Sequence, residues 1–172
     1  MAYQRPGLTN SYVRPSSSTA ISATGLASFR QLSPAEETRH YPREITVEVS
    51  RSLAGRPWFK QLVKKLEYLA NLEANWNGYG EQPVHSASVK RVVGLLNSLD
   101  LDVAPSIAPT PAGSLQVEWH RSGASVEVEV PSQGRLVAWY SEKGRDEEEM
   151  WEVVDREALR RIRTSIKQLV AS

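Results

Sequence analysis

The feature of the sequence that most constrains its fold is a pair of alternating segments, residues 115–120 and 125–130. In each segment apolar residues alternate with polar ones, the pattern of a β-strand with one buried face. The apolar residues share a face when paired residue numbers sum to 245, so that Val117 opposes Val128. This register leaves Ser122-Gly123 as a two-residue turn, in which glycine can take the required positive φ. A shift by one residue would bury the glutamates, so the alternation itself selects this register.

The remaining elements are predicted from periodicity. Apolar residues recur at three- and four-residue steps over residues 57–74, over 86–99 and after Asp155, which predicts three amphipathic helices. Residues 135–140 are predicted as a third strand. Residues 45–49 alternate as a short strand would, or form the last extended stretch of the N-terminal tail. A three-stranded sheet with one apolar face needs a cover. The sequence therefore predicts an α+β fold, a two-layer sandwich in which helices cover a three-stranded antiparallel meander in the order α-α-β-β-β-α.

The first residues differ in composition from the rest of the chain. Residues 1–42 are rich in scattered proline and serine, which is typical of disordered segments. We therefore predict a flexible, disordered N-terminal arm at 1–42 and a single α+β domain at 43–172. The arm is either a solvated leader without a role or a segment that orders on a partner. In the second case Leu26, Phe29 and Leu32 are its anchors.

Charge and composition limit the functional class. The chain has 172 residues and a formal net charge of +1, so it has no overall field that attracts DNA or an anionic membrane. The absence of cysteine excludes disulfides and thiolate chemistry. No apolar run approaches the length of a membrane span, and the first residues lack the apolar core of a secretory signal. We expect a soluble cytoplasmic protein without a membrane partner.

Residues 75–83 hold two aromatic residues and two glycines within a short loop. Glycine permits positive φ and aromatic residues supply large apolar area, so this composition predicts a loop of defined shape. Two interpretations are open for Trp76 and Tyr79. In the structural one they anchor the connection between the helices onto the sheet. In the functional one they form a recognition loop carried by a rigid scaffold.

Three motifs resemble those of a family of bacterial proteins without an assigned activity. In that family a leucine-rich helix runs into a W-D-G-Y-G-A-like loop, and a P-T-P-x-G-G-like turn and an L-E-W-like strand follow. Here the matching segments are 76–80, 109–113 and 117–119, and the similarity covers roughly residues 62–140. The chain departs from the family pattern at Asn77, Glu81 and Ser114, where the family has Asp, Ala and Gly. The resemblance implies a shared fold unit and a bacterial source but no mechanism.

Several glutamates lie on the polar face of the first predicted hairpin. The predicted register sets Glu118 opposite Glu127 with Glu129 diagonal to it, and His120 on the same face. Like charges placed opposite one another are destabilising, and close carboxylates can form an acid/base pair. Glu118, Glu127 and His120 are therefore candidates for a hydrolase site, with or without a metal. No metal-ligand spacing accompanies them, so we favour a polar sheet face neutralised by arginines or by a partner protein.

Other catalytic patterns are missing from the sequence. The three histidines share no spacing, no serine lies in a G-x-S-x-G elbow, and no glycine-rich phosphate loop follows a strand. We predict no catalytic residue, no metal and no cofactor. The last helix carries five basic residues that could neutralise phosphates, although acidic residues precede it. They are Arg156, Arg160, Arg161, Arg163 and Lys167.

These observations favour a non-enzymatic protein-interaction module in the bacterial cytoplasm, such as an antitoxin or immunity-type neutraliser or a subunit of a larger assembly. The predicted partner-binding residues are Leu26, Phe29, Leu32, Trp76, Tyr79, Glu118, Glu127 and Glu129. One alternative is a hydrolase that uses the acidic sheet face, with a metal as an option. A second alternative is a nucleic-acid-binding protein that uses the arm and the basic last helix.

Overall fold

The computed structural model describes residues 26–29, 45–142 and 148–171. The strands are β1 Leu26–Phe29, β2 Ile45–Glu48, β3 Ser106–Pro109, β4 Leu115–Arg121, β5 Ala124–Val130, β6 Leu136–Glu142 and β7 Glu149–Val153. The helices are α1 Arg51–Ala54, α2 Phe59–Ala70, α3 Ser86–Leu99 and α4 Arg156–Ala171. Strands β3 to β7 form one antiparallel sheet in chain order, and β1 pairs with β2 in a separate two-stranded sheet. The fold is α+β, as the sequence predicts.

The central hairpin has the predicted register. Val117 lies opposite Val128 and Glu118 lies opposite Glu127 in the pairing of β4 with β5. The turn between them is Ser122-Gly123, with φ values of 53° and 84°. Positive φ at both turn residues is the signature of the type I′ turn, whose twist matches that of the strands it joins. The alternation and the turn together determine the register.

The prediction of three strands is wrong, because β3 and β7 extend the sheet to five within the described residues. Ile107 is the only buried residue of β3, so this strand has no visible alternation. Strand β7 begins at Glu149 inside a run of acidic residues, which is typical of a loop. Its apolar residues Trp151 and Val153 nevertheless pack against the core. Both are edge strands with few buried residues, so their sequences show little alternation.

The core lies between the helices and one face of the five-stranded sheet, here called the inner face. The inner-face side chains of Val117, Val128 and Ala138 are completely buried. Helices α3 and α4 contact β4 and β5 on this side, with Val92 and Ile166 among the buried residues of the two helices. Burial of one such side chain stabilises the fold by about 1.5–3 kcal/mol. The packing holds the opposite face in a fixed position.

The helix ends follow local chemistry. Helix α2 is shorter than the predicted span of 57–74, because Trp58 occupies the N-cap position and the helix ends at Ala70. Asp155 caps α4 as predicted, since its Oδ1 accepts a hydrogen bond from the N–H of Ala158 at 2.8 Å. Helix α3 ends at Leu99, and its C-cap Asp100 has a left-handed φ of 45° and donates its N–H to the oxygen of Leu96 in the last turn.

Part of the predicted arm lies among the described residues. Strand β1 pairs antiparallel with β2, with Leu26 opposite Glu48 and Phe29 opposite Ile45. Residues 1–25 and 30–44, which include the predicted anchor Leu32, lie outside the described residues. The arm and its three anchors therefore remain predictions.

Candidate functional site

The loop that follows α2 is held closed by its own hydrogen bonds. The N–H of Asn75 donates to the backbone oxygen of Glu81 at 2.8 Å, and the N–H of Gly80 donates to the side-chain oxygen of Asn75 at 2.7 Å. Asn75, Gly78 and Gly80 all have positive φ, at 61°, 92° and 88°. Such values favour glycine and tolerate asparagine. This sequence therefore builds a tight loop with few conformational alternatives.

Tyr79 lies at the exposed side of this loop. Its side chain is 89% exposed, whereas Trp76 is half-buried. The N–H of Tyr79 donates to Asn77 Oδ1 at 3.0 Å and is 3.3 Å from Glu81 Oε2. The interpretation that Tyr79 anchors the loop to the sheet is wrong, because its side chain is almost fully exposed. Tyr79 is held by its backbone and presents its ring to solvent.

Glu81 is a buried carboxylate that sequence reasoning did not identify as part of the site. It is 4% exposed, and its backbone and side chain both accept hydrogen bonds from the loop. Glu81 stands at a position where the resembled family has alanine. That departure was visible in the sequence, but its role depends on the fold of the loop.

The loop docks on the turn that connects β3 to β4. The N–H of Gln82 donates to the oxygen of Pro111, and the N–H of His85 donates to the oxygen of Gly113, both at 2.9 Å. The P-T-P-x-G segment and the aromatic loop are therefore one structural unit, although helix α3 separates them in sequence. We call the two segments, residues 75–85 and 110–114, the loop cluster.

Ser114 connects the loop cluster to the sheet. Its side chain is 3% exposed, it lies 2.5 Å from Thr110 Oγ1, and its Oγ donates to Glu129 Oε1 at 2.8 Å. Ser114 stands where the resembled family has a second glycine. A glycine here would leave Glu129 without this donor. The substitution thus joins the loop cluster to the carboxylates of the sheet.

The face of the sheet opposite the core, here called the outer face, holds the predicted acidic residues. Its side chains alternate with the buried ones along each strand. Glu127 lies between Glu118 on β4 and Trp139 on β6, and Glu129 lies opposite Val137. The outer face of the three central strands and β7 comprises Gln116, Glu118, His120, Ser125, Glu127, Glu129, Val137, Trp139, Ser141, Met150 and Glu152.

Hydrogen-bond partners other than lysine and arginine surround the three central carboxylates. Glu118 accepts a hydrogen bond from Ser106 Oγ at 3.2 Å and lies 3.0 Å from His120 Nε2. Glu127 accepts one from Gln116 Nε2 at 2.6 Å. Among the described residues, no lysine or arginine forms an ion pair with Glu118, Glu127 or Glu129. Hydrogen bonds position the carboxylates, and within the described ranges no lysine or arginine balances their charge.

One arginine lies at the edge of the outer face. Arg135 forms an ion pair with Glu152 on β7. This contact neutralises Glu152 but not Glu118, Glu127 or Glu129, which form no ion pair with a lysine or arginine in the described part of the chain.

The candidate hydrolase set has an open geometry. Glu118 contacts His120, and Glu127 accepts hydrogen bonds from Gln116 and Ser125. Within residues 26–29, 45–142 and 148–171, no group of three or more potential metal ligands is arranged to hold a metal ion. The structure therefore brings the three predicted residues onto one face without assembling a metal site from them.

The basic residues of α4 are divided among different contacts. Arg160 pairs with Glu157, and Arg161 pairs with Glu149 at 2.5 Å while its guanidinium lies 4.2 Å from the centre of the Trp151 ring. Arg161 is thus held by both a carboxylate and an aromatic ring. These contacts reduce the number of α4 cations available to phosphates.

A second charged cluster escaped the sequence analysis. Arg56 contacts both Asp100 and Asp102, with 3.0 Å between Arg56 Nη2 and Asp100 Oδ1. Hydrogen bonds donated by Ser52 and Arg56 hold the pKa of Asp100 below its usual range. The cluster ties the segment containing α1 to the end of α3. The contact joins residues from distant segments, so no local pattern in the sequence predicts it.

Comparison with known proteins gives no further assignment. No protein-family model, curated protein or solved structure matches the chain. The resemblance of the loop and turn motifs therefore remains a prediction. Among the described residues, no helix is both long enough and apolar enough to cross a bilayer.

Proposed function

We propose that this protein is a non-enzymatic interaction module that docks a partner protein on the outer face of its sheet. The observation that carries the proposal is the set of three carboxylates, Glu118, Glu127 and Glu129, on a face that the helices leave uncovered and without a described lysine or arginine partner. A partner surface rich in lysine and arginine has the complementary charge. Complementary charge speeds the encounter of two proteins and excludes wrong partners.

The energetics of the hairpin support this proposal. Glu118 and Glu127 are direct cross-strand neighbours, an arrangement that costs stability in the isolated domain. Hydrogen bonds from Gln116 and Ser106 hold the two carboxylates in place without removing their charge. Their mutual repulsion decreases when a cation from another molecule lies between them.

Apolar side chains accompany the acids. Trp139 lies next to Glu127, Val137 lies next to Glu129, and Met150 is 66% exposed opposite Trp139. None of these three packs against the core. Tryptophan and methionine are enriched at protein interfaces, where they supply apolar contact within a polar surround. The outer face thus offers apolar contact area together with negative charge that favours a basic partner.

Tyr79 extends the proposed surface to the loop cluster. Its ring is exposed while its backbone is fixed, so binding would cost little ordering of the loop. Ser114 links this cluster to Glu129 at the near edge of the acidic patch. Trp76 is half-buried and is proposed to support the loop while Tyr79 makes the contact.

The cellular setting completes the proposal. The resemblance of the motifs to bacterial proteins suggests a bacterial cytoplasm, and an antitoxin, an immunity-type neutraliser or an assembly subunit would each use such a surface. The arm before residue 43 is proposed to wrap the same partner through Leu26, Phe29 and Leu32.

The test compares two charge-matched triple variants in quantitative capture from the native host. In the first, Glu118→Gln, Glu127→Gln and Glu129→Gln remove the acidic patch. In the second, Glu67→Gln, Glu148→Gln and Glu157→Gln remove the same charge elsewhere. We expect a protein that the wild type and the second variant recover equally and that the first variant loses.

Salt dependence and arm deletion refine this test. Recovery is expected to fall as salt rises, because screening weakens contacts between exposed charges. Removal of residues 1–42 is expected to reduce recovery further. Equal recovery by both triple variants would contradict the proposed surface, and a nucleic acid in place of a protein would favour the second alternative.

A further inference from the structure

We propose that Asn77 is a modification site: it deamidates spontaneously to aspartate and isoaspartate, and the product brings a second carboxylate to a backbone N–H that Glu81 already shares. This chemistry is independent of the proposed function, because it involves only the backbone and side chains of the aromatic loop. Three observations carry it: the residue that follows Asn77, the hydrogen bonds of the Asn77 side chain, and the open space beside Gly78.

Asn77 differs from the other asparagines in being followed by glycine. The chain has five asparagines, and the other four precede serine, leucine or tryptophan; they are Asn10, Asn71, Asn75 and Asn97. Deamidation begins when the backbone nitrogen of the next residue attacks the side-chain carbon Cγ, so a side chain on that next residue hinders the approach. Glycine has no Cβ to hinder it. The sequence therefore ranks residue 77 above the other asparagines.

The reaction exchanges an amide for a carboxylate and consumes one water. The nitrogen of Gly78 gives its proton to hydroxide and forms a bond to Asn77 Cγ, and the bond from Cγ to Nδ2 breaks as ammonia leaves. Water then opens the resulting ring. Opening at Cγ gives aspartate, and opening at the backbone carbonyl carbon of residue 77 gives the isoaspartyl link. Either product carries a carboxylate in place of a neutral amide.

The hydrogen bonds of Asn77 favour this attack. Its Oδ1 accepts the N–H of Tyr79 at 3.0 Å. Negative charge develops on this oxygen as the nitrogen of Gly78 attacks Cγ, and a donor already in place stabilises that charge. Among the described residues, no hydrogen bond holds Asn77 Nδ2, the nitrogen that leaves. The carbonyl is thus activated while its leaving group is unrestrained.

Two other asparagines are held at the nitrogen that would have to leave. Asn71 Nδ2 donates to the backbone oxygen of Glu67 at 2.8 Å, and Asn97 Nδ2 donates to that of Glu48 at 2.9 Å. Asn97 also lies inside helix α3. These two residues have the opposite arrangement to Asn77 and serve as internal controls.

Water and hydroxide reach the attacking nitrogen from an open side. Asn77 is exposed, and a Cβ added to Gly78 would meet nothing within 4 Å beyond its chain neighbours. The N–H of Gly78 donates to the oxygen of Asn75 at 3.0 Å, and this bond must open before the nitrogen attacks. The folded loop therefore slows the reaction relative to a denatured chain, and local opening permits it. The rate is expected to rise with pH, because a base must remove the proton.

The product changes the charge around the N–H of Tyr79. This N–H lies 3.0 Å from Asn77 Oδ1 and 3.3 Å from Glu81 Oε2, so the two side chains share one donor. Glu81 is 4% exposed and has little access to screening solvent. After deamidation two carboxylates compete for the same donor, and like charges at short range repel. We expect the closed loop to open more often as a result.

The first experiment incubates the full-length protein at mildly alkaline pH and maps deamidation by peptide mass spectrometry. We expect residue 77 to convert at least about tenfold faster than any other asparagine, because glycine leaves the attack unhindered. An isoaspartyl methyltransferase is expected to label the same peptide. Asn77→Gln is the matched control and is expected to lose the label, since a glutamine at this position needs a larger ring.

The second experiment measures the effect of the product charge on the loop. Hydrogen exchange is followed at the amides of Asn75 and Gly80, whose hydrogen bonds close the loop. Asn77→Asp reproduces the aspartate product and is expected to exchange faster than the wild type at both amides. Asn77→Asp/Glu81→Gln removes the second carboxylate and is expected to restore slow exchange. Circular dichroism verifies that each variant is folded.

Three results would overturn the proposal. The first is a wild type that gains no carboxylate at residue 77 during the incubation. The second is conversion of Asn71 and Asn97 as fast as that of Asn77. The third is exchange at Asn75 and Gly80 that Asn77→Asp leaves unchanged, which would show that the added carboxylate does not disturb Glu81.

Discussion

Gly113 and Pro83 approach so closely that a Cβ on Gly113 would lie 2.5 Å from the carbonyl oxygen of Pro83. The same Cβ would lie 3.0 Å from the ring of His85, and the φ of Gly113 is +75°. The contact with Pro83 is to backbone, which cannot rotate away. Glycine is therefore required where the turn after β3 meets the aromatic loop.

Gly113→Ala is predicted to lower the free energy of unfolding by about 2–4 kcal/mol, because it combines an unfavourable φ with a backbone clash. The matched control is Gly94→Ala in α3, where an added Cβ meets nothing within 4 Å. There alanine is expected to stabilise by about 0.5–1 kcal/mol through helix propensity. Urea denaturation of both variants measures the contrast. Equal effects would contradict the close docking of the loop cluster.

Asp100 is predicted to make stability sensitive to acid. Its pKa is lower in the folded protein than in the unfolded chain, through hydrogen bonds from Ser52 and Arg56. The stabilisation is therefore complete above the ordinary aspartate pKa of about 3.9 and is lost as the pH falls through the lower folded value. Asp100→Asn keeps a side chain that tolerates the left-handed φ.

The measurement is the difference in Tm between wild type and Asp100→Asn at several pH values. We expect the wild type to be more stable at pH 5 and above, with the difference shrinking below about pH 4. Ser52→Ala is expected to raise the folded pKa of Asp100 and so move the loss of stability to higher pH. A difference that grows on acidification would contradict this account.

Tyr79→Ala is predicted to leave stability nearly unchanged, within about 0.5 kcal/mol, because the ring is exposed and the loop is held by backbone contacts. The comparison variant is Leu66→Ala, at a fully buried position of α2, with an expected loss of about 2–5 kcal/mol. The same Tyr79→Ala protein is expected to recover less of the partner. A loss of stability like that of Leu66→Ala would show that the tyrosine supports the fold instead.

Glu127→Gln is predicted to stabilise the isolated domain. Removal of one of two facing carboxylates is expected to raise the free energy of unfolding by about 0.2–1 kcal/mol at low salt. The gain is expected to shrink as salt screens the pair. Glu48→Gln on β2 serves as the control for loss of one charge. Destabilisation by Glu127→Gln would mean that the hydrogen bond from Gln116 outweighs the repulsion.

Periodicity predicted the elements that bury a full face. The β4–β5 register followed from the alternation around Val117 and Val128, because a shift would exchange buried and exposed residues. Strands β3 and β7 escaped because an edge strand with few buried residues shows little alternation. The exposure of Tyr79 could not be predicted either, since a glycine-rich loop has the same composition whether its tyrosine is buried or exposed.

Contacts between distant segments were beyond the reach of local patterns. Ser114 meets Glu129, and Arg56 meets Asp100, only after the sheet and helices have assembled. The carboxylates of the outer face were predicted by position, yet their hydrogen-bond partners were not. Side-chain partners depend on tertiary geometry, which local patterns in a sequence do not reveal.

The bonds from Gln82 to Pro111 and from His85 to Gly113 enclose the whole of α3 in a ring of chain. The aromatic loop cannot complete its hydrogen bonds until the helix and the β3–β4 turn are formed, so it is expected to order late in folding. Opening of either segment also releases the other. The two amides are therefore expected to exchange with deuterated solvent at a common rate, as members of one cooperative unit.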